Sequence, residues 1–415
     1  MEIREVADSA AFDQYVIQSN SCHYMKTTMY GEWRIKQDKE NYNFNIRKYY
    51  KLGFYEGNEL KGTALVLSGS WFGHHLLYIP KGPCIDYSNK ELRVTVFQLL
   101  KKFADERHVE FLRVDPDVIR VHHDIKGNVI DDGFSNEEVT EDLKSLGFTH
   151  KGYGYAYNGS WLNRFTLIVD ISKPMDQVKA GFSSRRKRTL KKAANFKLTT
   201  RIGTKDDIQT ILDLQMQLVH QKGFTPSSYS YFSDMMDCFG EHAVIYITEI
   251  DLKYAEEKAR QDYEAKKNSG NERAAENAKE TLELIQSYAS KGFSIMPVAA
   301  GMFIRMGNYN WCWYYYFHKK FNRFSPLDSL HLYAMEDAKK HGVIYYDLCG
   351  FSGTSDPKDP EYHLYEYKHE FGPQFIEQIG EFDYVRSRQM WKLFKFEKLA
   401  FNHIKRKITS RYKKR

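Results

Sequence analysis

The chain has 415 residues, 42% hydrophobic and 28% charged, too long for one ordinary domain and apolar enough to build a core in each of two. That composition excludes wholesale disorder. Its five cysteines (Cys22, Cys84, Cys238, Cys312, Cys349) are an odd number without CxxC spacing, which argues against a disulfide framework or zinc ribbon and for a reducing compartment.

The first residues show no charged-then-apolar signal pattern, and no apolar run approaches the ~18 residues that span a bilayer. A cytoplasmic protein is expected. The net charge is +7, but it is concentrated. Residues 181–197 hold seven basic side chains and no acid, and residues 398–415 hold eight more, again with no acid. Without these fifteen the rest of the chain carries −8. Two basic patches on an acidic body call for polyanionic partners: nucleic acid, nucleotide phosphates or a membrane surface.

In chain order, the first 150 residues read as mixed α/β, with strands over 58–67, 75–79 and 109–114 and an amphipathic helix over 89–106. Strand character resumes over 160–171, and 204–222 has the pattern of a helix. Further on, a helix over 329–340 precedes the apolar strand 343–346 and Asp347. Earlier, the helix up to 107 precedes the strand 109–114 and Asp115. This recurrence points to a duplicated α/β unit.

Between strands expected over 243–250 and 298–305 lies a segment of different character. Residues 251–291 hold nine acidic and eight basic side chains and no proline. Ala274, Ala278, Leu282, Ile285 and Ala289 step by four and three, and Leu252, Ala255, Ala259 and Tyr263 repeat the pattern more weakly. With a turn at Asn268-Ser269-Gly270-Asn271, this predicts an inserted antiparallel helical hairpin, each arm roughly 27 Å long at 1.5 Å per residue. At the far end, Trp391, Leu393, Phe394, Phe396, Leu399, Phe401 and Ile404 alternate with lysines, as in a basic amphipathic helix that docks on a core or lies on anionic lipid.

Walker A, GxGxxG, HExxH and GxSxG patterns are all missing, as is the Gly-rich pyrophosphate loop of coenzyme-A-dependent acetyltransferases. The histidine pairs His74-His75 and His122-His123 lack metal-ligand spacing. Neither a metal nor a cofactor is expected. Instead, five short stretches occur in a recognisable order. Lys81-Gly82-Pro83-Cys84-Ile85-Asp86 follows a strand, and Arg113-Val114-Asp115-Pro116 ends another. Tyr346-Asp347-Leu348-Cys349-Gly350 ends a third. Leu364-Tyr365-Glu366-Tyr367-Lys368-His369-Glu370-Phe371-Gly372 and Ile379-Gly380-Glu381 come after it.

This order resembles the Fem-type peptidyltransferases (the FemABX family), which add amino acids from aminoacyl-tRNA to the peptide of cell-wall precursors. The resemblance implies an α/β fold of mixed sheets, made of two acetyltransferase-like (GNAT) domains with an inserted antiparallel coiled-coil arm. The first domain would comprise residues 1–152 plus 380–415, the second 153–379, and the arm 251–291. The implied partners are aminoacyl-tRNA and a lipid-linked or UDP-linked muropeptide; the coiled-coil arm and the basic amphipathic tail favour the lipid-linked acceptor, lipid II, and peripheral contact at the inner membrane face.

Attack of an amine on an aminoacyl ester needs a donor or cation where the oxyanion forms, and a route for the amine's proton. A lysine beside an aromatic can supply the fixed cation. The resemblance assigns that role to Lys368, with Tyr367 beside it, and makes Asp115 a plausible general base. It places Lys36 at the substrate diphosphate and Thr225, Tyr231 and Tyr314 in the substrate groove. Where some members have a phosphate-binding arginine, this chain has Ser227. The run Arg185-Arg186-Lys187-Arg188 matches a basic stretch that would hold tRNA or diphosphate. Two other readings stay open: transfer with another acyl donor or acceptor, and a non-catalytic RNA-binding protein, which would have no need of the Lys368 motif.

Overall fold

A computed structural model describes residues 1–38, 45–71, 74–156, 160–222, 225–386, 389, 391 and 392. They form two compact units. The first comprises Met1–His123, Asn128–Phe165 and the chain from Ile376 onward; the second comprises Asp124–Gly127 and Thr166–Phe375. The basic tail expected to meet a membrane lies outside the described residues. Among the described residues, no helix is long and apolar enough to cross a membrane.

The first unit is built on a seven-stranded sheet. In order across it run Glu2–Glu5, Asn45–Glu56, Glu59–Trp71, His74–Ile79, Phe111–Val114, Phe382–Val385 and Thr149–His150. Neighbours are antiparallel except His74–Ile79 and Phe111–Val114, a parallel pair that registers Leu77 with Leu112 and Ile79 with Val114. A parallel pair needs a crossover, supplied here by the helix Lys90–Glu106. Asn89 caps it, its side chain accepting from the Leu92 amide at 3.0 Å. Val96, Phe97, Leu100, Phe103 and Ala104 then face the sheet, in one core with Leu77, Ile79, Leu112 and Val114. The strand expected over 58–67 is longer, and its long neighbour Asn45–Glu56 was not expected.

The second unit repeats the arrangement. Phe165–Asp170, Tyr345–Gly350, Tyr309–Phe317, Ile295–Met306, Ala243–Asp251 and Thr199–Ile202 lie side by side. The parallel pair is Tyr309–Phe317 with Tyr345–Gly350, in which Trp311 registers with Asp347. The crossover is the helix Pro326–Lys340. Among the described pairings, each unit thus shows a β-α-β crossover flanked by antiparallel neighbours, as the recurring helix, strand and aspartate suggested. Asp115 follows the strand of one such pair and Asp347 lies within the strand of the other; both are buried.

Two helices, Leu252–Asn268 and Glu272–Ala289, occupy the expected insertion between Ala243–Asp251 and Ile295–Met306. The side chains of Asp251 and Asn271 cap their N-termini. Glu256 accepts a hydrogen bond from Gln286 across the pair at 3.0 Å. The seam is not self-contained. Leu252, Ala255, Ala259, Leu282 and Ile285 join Phe196, Ile250, Phe321 and Phe324 in one cluster, so the base of the hairpin belongs to the core of the unit. Towards the turn, residues 264–273 are all exposed.

Candidate active site

In the second unit, the helix Tyr362–His369 turns Tyr365 and Lys368 inward. Lys368 is 3% exposed, and its Nζ donates to the carbonyls of Cys349 at 3.0 Å and Gly350 at 2.8 Å. These carbonyls are accessible to it because Cys349 adopts φ +61°, a left-handed conformation that breaks the strand as it ends. Asp347 steadies the turn by accepting from the Cys349 amide at 2.7 Å and from the Thr166 hydroxyl.

An ammonium has three donors. Among the described residues, Lys368 has no third acceptor and no carboxylate within ion-pair distance. One N–H is therefore without an acceptor among the described residues. Burial pulls the Lys368 ammonium below the ordinary lysine value, with Asp347 among the groups acting in the opposite direction. A buried cation with one unsatisfied donor, its other two fixed on backbone, is a preorganised site for developing negative charge.

Tyr367 faces another way. Its hydroxyl meets Asp328 Oδ1 at 3.3 Å, and the Arg186 guanidinium lies 4.3 Å from its ring centroid and 4.1 Å from that of Phe371. Arg186 also donates to the Tyr367 carbonyl at 2.8 Å and pairs with Asp328 and with Glu370, the latter at 3.2 Å. Arg186 is only 2% exposed. Where phosphate contact was expected of it, Arg186 faces two buried acids and two rings and also lines the cavity described below. Gly372, the glycine that closes this motif, has φ +64°, and a Cβ there would lie 2.5 Å from the Gly181 carbonyl oxygen. Only glycine lets the segment approach the start of the basic helix so closely.

That helix, Ser184–Asn195, is capped by Ser183 and buries Arg186 and Ala193. Arg185, Lys187 and Arg188 are exposed, and Arg185 pairs with Glu366 at 3.2 Å and Glu370 at 3.4 Å. A cavity of about 350 Å³ opens at the helix start, lined by Arg185, Arg186, Asp328, Glu366, Tyr367 and Glu370 among others.

Tyr231 and Tyr314, both expected in the substrate groove, lie side by side. Their hydroxyls are 2.8 Å apart and their rings meet edge to face with centroids 5.7 Å apart. Next to them, Gln215 donates to the Tyr316 hydroxyl at 2.7 Å and accepts from the Ser227 amide at 3.0 Å. Ser227 thus serves to hold the loop on Gln215. Thr225 is exposed; Gly223 and Phe224, from the same segment, lie outside the described residues.

Asp115 and Lys36 belong to the first unit. Lys36 is exposed in the last turn of the helix Thr28–Asp38. Asp115 is 2% exposed and sits in a network that sequence reasoning did not assign. Lys81 Nζ lies 3.4 Å from Asp115 Oδ2 and donates to Gln378, which in turn donates to Asp117. Arg113 clasps Asp383 at 2.7 and 3.0 Å and meets Glu381 at 3.4 Å. Among the described residues, the Tyr78 hydroxyl and Asp115 Oδ2 are buried without a hydrogen-bond partner. Burial raises the Asp115 carboxyl above its ordinary value, and Lys81 opposes it. A carboxylate so placed can accept a proton nearer neutrality than a free one. Lys81, Arg113 and Glu381 all fall inside the short stretches that carried the family resemblance. What the sequence lacked was their pairing.

The FemAB family model matches residues 8–398. The "Lipid II:glycine glycyltransferase" of Staphylococcus aureus (strain USA300) is 25% identical over 369 residues, covering 82% of this chain and 84% of its own. The protein of the same name from Staphylococcus aureus (strain Mu50 / ATCC 700699) is 24% identical over the same length and shares. The crystal structure of FemX superposes with a TM-score of 0.75 at 21% identity, covering 95% of this chain and 99% of that one. The mixed α/β fold expected from the resemblance is the fold of this chain.

Proposed function

The chain belongs to the FemAB family, and on that premise we propose that it transfers an amino acid from aminoacyl-tRNA to the stem-peptide amine of a lipid-linked peptidoglycan precursor. The names of its relatives support the acceptor class. The observation that carries the chemistry is Lys368, a buried ammonium held by two backbone carbonyls with its third N–H unassigned.

In this reading the acceptor's neutral amine attacks the carbonyl carbon of the aminoacyl ester. The carbonyl electrons move onto oxygen, and the Lys368 N–H stabilises that oxyanion. As the oxyanion collapses, the ester C–O bond breaks and the ribose oxygen leaves with a proton, so no net proton is consumed. Asp115 is assigned the proton lost by the attacking amine, since burial brings its carboxyl toward the range where it can take one. Lys36 is assigned to the acceptor's diphosphate, and the Tyr231–Tyr314 pair with Thr225 to the wall of the substrate groove. Tyr367 packs the catalytic segment against Arg186. The enzyme would work at the inner membrane face, where the basic composition of residues 398–415 suits anionic lipid.

The test is incubation with a mixture of charged tRNAs and a lipid-linked muropeptide, followed by mass spectrometry of the product. The expected result is a mass gain of one or more amino-acid residues that requires charged tRNA. Absence of any gain with all twenty amino acids, or a gain from free amino acid and ATP alone, would overturn the reading.

A further inference from the structure

The helix Ser184–Asn195 has twelve residues and no acidic one. Its buried side is marked by Arg186 and Ala193. At 100° per residue, Lys187, Arg188, Lys191 and Lys192 fall on the opposite side, and all four are exposed. None has a carboxylate within ion-pair distance among the described residues; Lys187 donates only to the Ala180 carbonyl, at 2.7 Å. Arg185 and Arg186 of the same helix, and Arg323, are by contrast paired with acids.

Four unpaired cations on one helix face oppose helix stability twice. Like charges at i,i+4, here Lys187 with Lys191 and Arg188 with Lys192, repel, and positive charge towards an N-terminus opposes the helix dipole. A face kept so against its own stability suits an external polyanion. Two further observations choose the kind. The only large apolar residue of the helix, Leu190, is half-buried, so there is no free apolar stripe to sink into lipid. The helix also starts at the catalytic segment: the Ser183 amide donates to the Glu370 carbonyl at 2.9 Å, and Arg185 pairs with Glu366 two residues before Lys368.

We infer that the outward face of this helix, Lys187, Arg188, Lys191 and Lys192, docks the phosphate backbone of the RNA that delivers the amino acid, extending away from the segment where its 3′ end reacts. The inference rests on the aminoacyl-RNA donor proposed above. It separates Arg186, a structural residue, from the four side chains that meet phosphate.

The experiment measures fluorescence anisotropy of an uncharged RNA hairpin with a single-stranded 3′ tail across a salt series. It compares the wild-type chain with a variant carrying K187Q, R188Q, K191Q and K192Q. All four side chains are exposed, so the variant should melt no lower than wild type, which a thermal scan checks. The expected result is weaker binding and a log K against log [salt] slope shallower by about 3, from roughly 0.7–0.9 per lost phosphate contact. Equal slopes for the two proteins would overturn the assignment while leaving the donor reading intact. No RNA binding by wild type would overturn both. Unchanged RNA binding with lost binding to phosphatidylglycerol vesicles would show a membrane surface instead.

Discussion

Arg186 and Asp328 form a buried ion pair 142 residues apart in sequence, at 2% and 4% exposure. Beyond it, Arg186 reaches Glu370, the Tyr367 carbonyl and two aromatic faces. It thus ties the helix Ser184–Asn195 to the helix Pro326–Lys340 and to the segment that carries Lys368. Removing one partner of such a pair strands the others without compensation. Arg186→Met should cost about 3–5 kcal/mol, read as a drop in urea midpoint. Arg185→Gln, at an exposed pair, should cost about 1 kcal/mol or less. Similar midpoints for the two variants would show that Arg186 is not the structural tie.

His331 is fully buried, with Nδ1 2.8 Å from the Tyr346 hydroxyl and Cys312 Sγ 3.9 Å away. Burial, then the charges of Arg186 and Lys368, holds its imidazole well below the ordinary histidine value. The folded protein keeps it neutral while the unfolded chain protonates it near pH 6.5. The unfolded state therefore binds more protons below that pH, and stability falls as pH drops. His331→Phe should flatten the fall between pH 6.5 and 5 by up to about 1.4 kcal/mol per pH unit. Denaturant melts at stepped pH measure this, and parallel curves for variant and wild type would contradict it.

The hairpin makes an uneven prediction along its length. Ile285 is fully buried in the cluster with Phe321 and Phe324, so Ile285→Ala should cost about 2–5 kcal/mol. Replacing the exposed residues 264–273 by a short glycine turn should leave the thermal midpoint nearly unchanged. Deleting the whole hairpin should lower it, because Phe196, Phe321 and Phe324 lose their cover. A full deletion that melts like wild type would show the base to be dispensable.

The sequence showed the repeated β-α-β unit because its apolar strands and amphipathic helices announce themselves locally. Asn45–Glu56 was missed because Arg47, Lys48, Tyr49, Tyr50 and Lys51 interrupt the alternation that marks a half-buried strand. The hairpin was visible in its seam, but its attachment was not, since Phe196 and Phe321 meet it from outside the segment. The basic run was evident, yet its composition could not say that Arg186 points inward. The seven-residue step from Arg186 to Ala193 was the available signal, and it needed Asp328 to become meaningful. Around Asp115 the same limit holds: Lys81, Gln378 and Glu381 reach it only through the fold.

In the proposed function, the unassigned N–H of Lys368 stabilises the oxyanion of aminoacyl transfer. The direct measurement is the single-turnover rate of transfer from saturating aminoacyl-tRNA to a lipid-linked muropeptide for Lys368→Met against wild type. A thermal scan and RNA and muropeptide binding are run on the same preparations. The expected rate is lower by about 10²–10³, with both ligands still bound and a cooperative melt retained. A folded variant that transfers within a few-fold of the wild-type rate would contradict it.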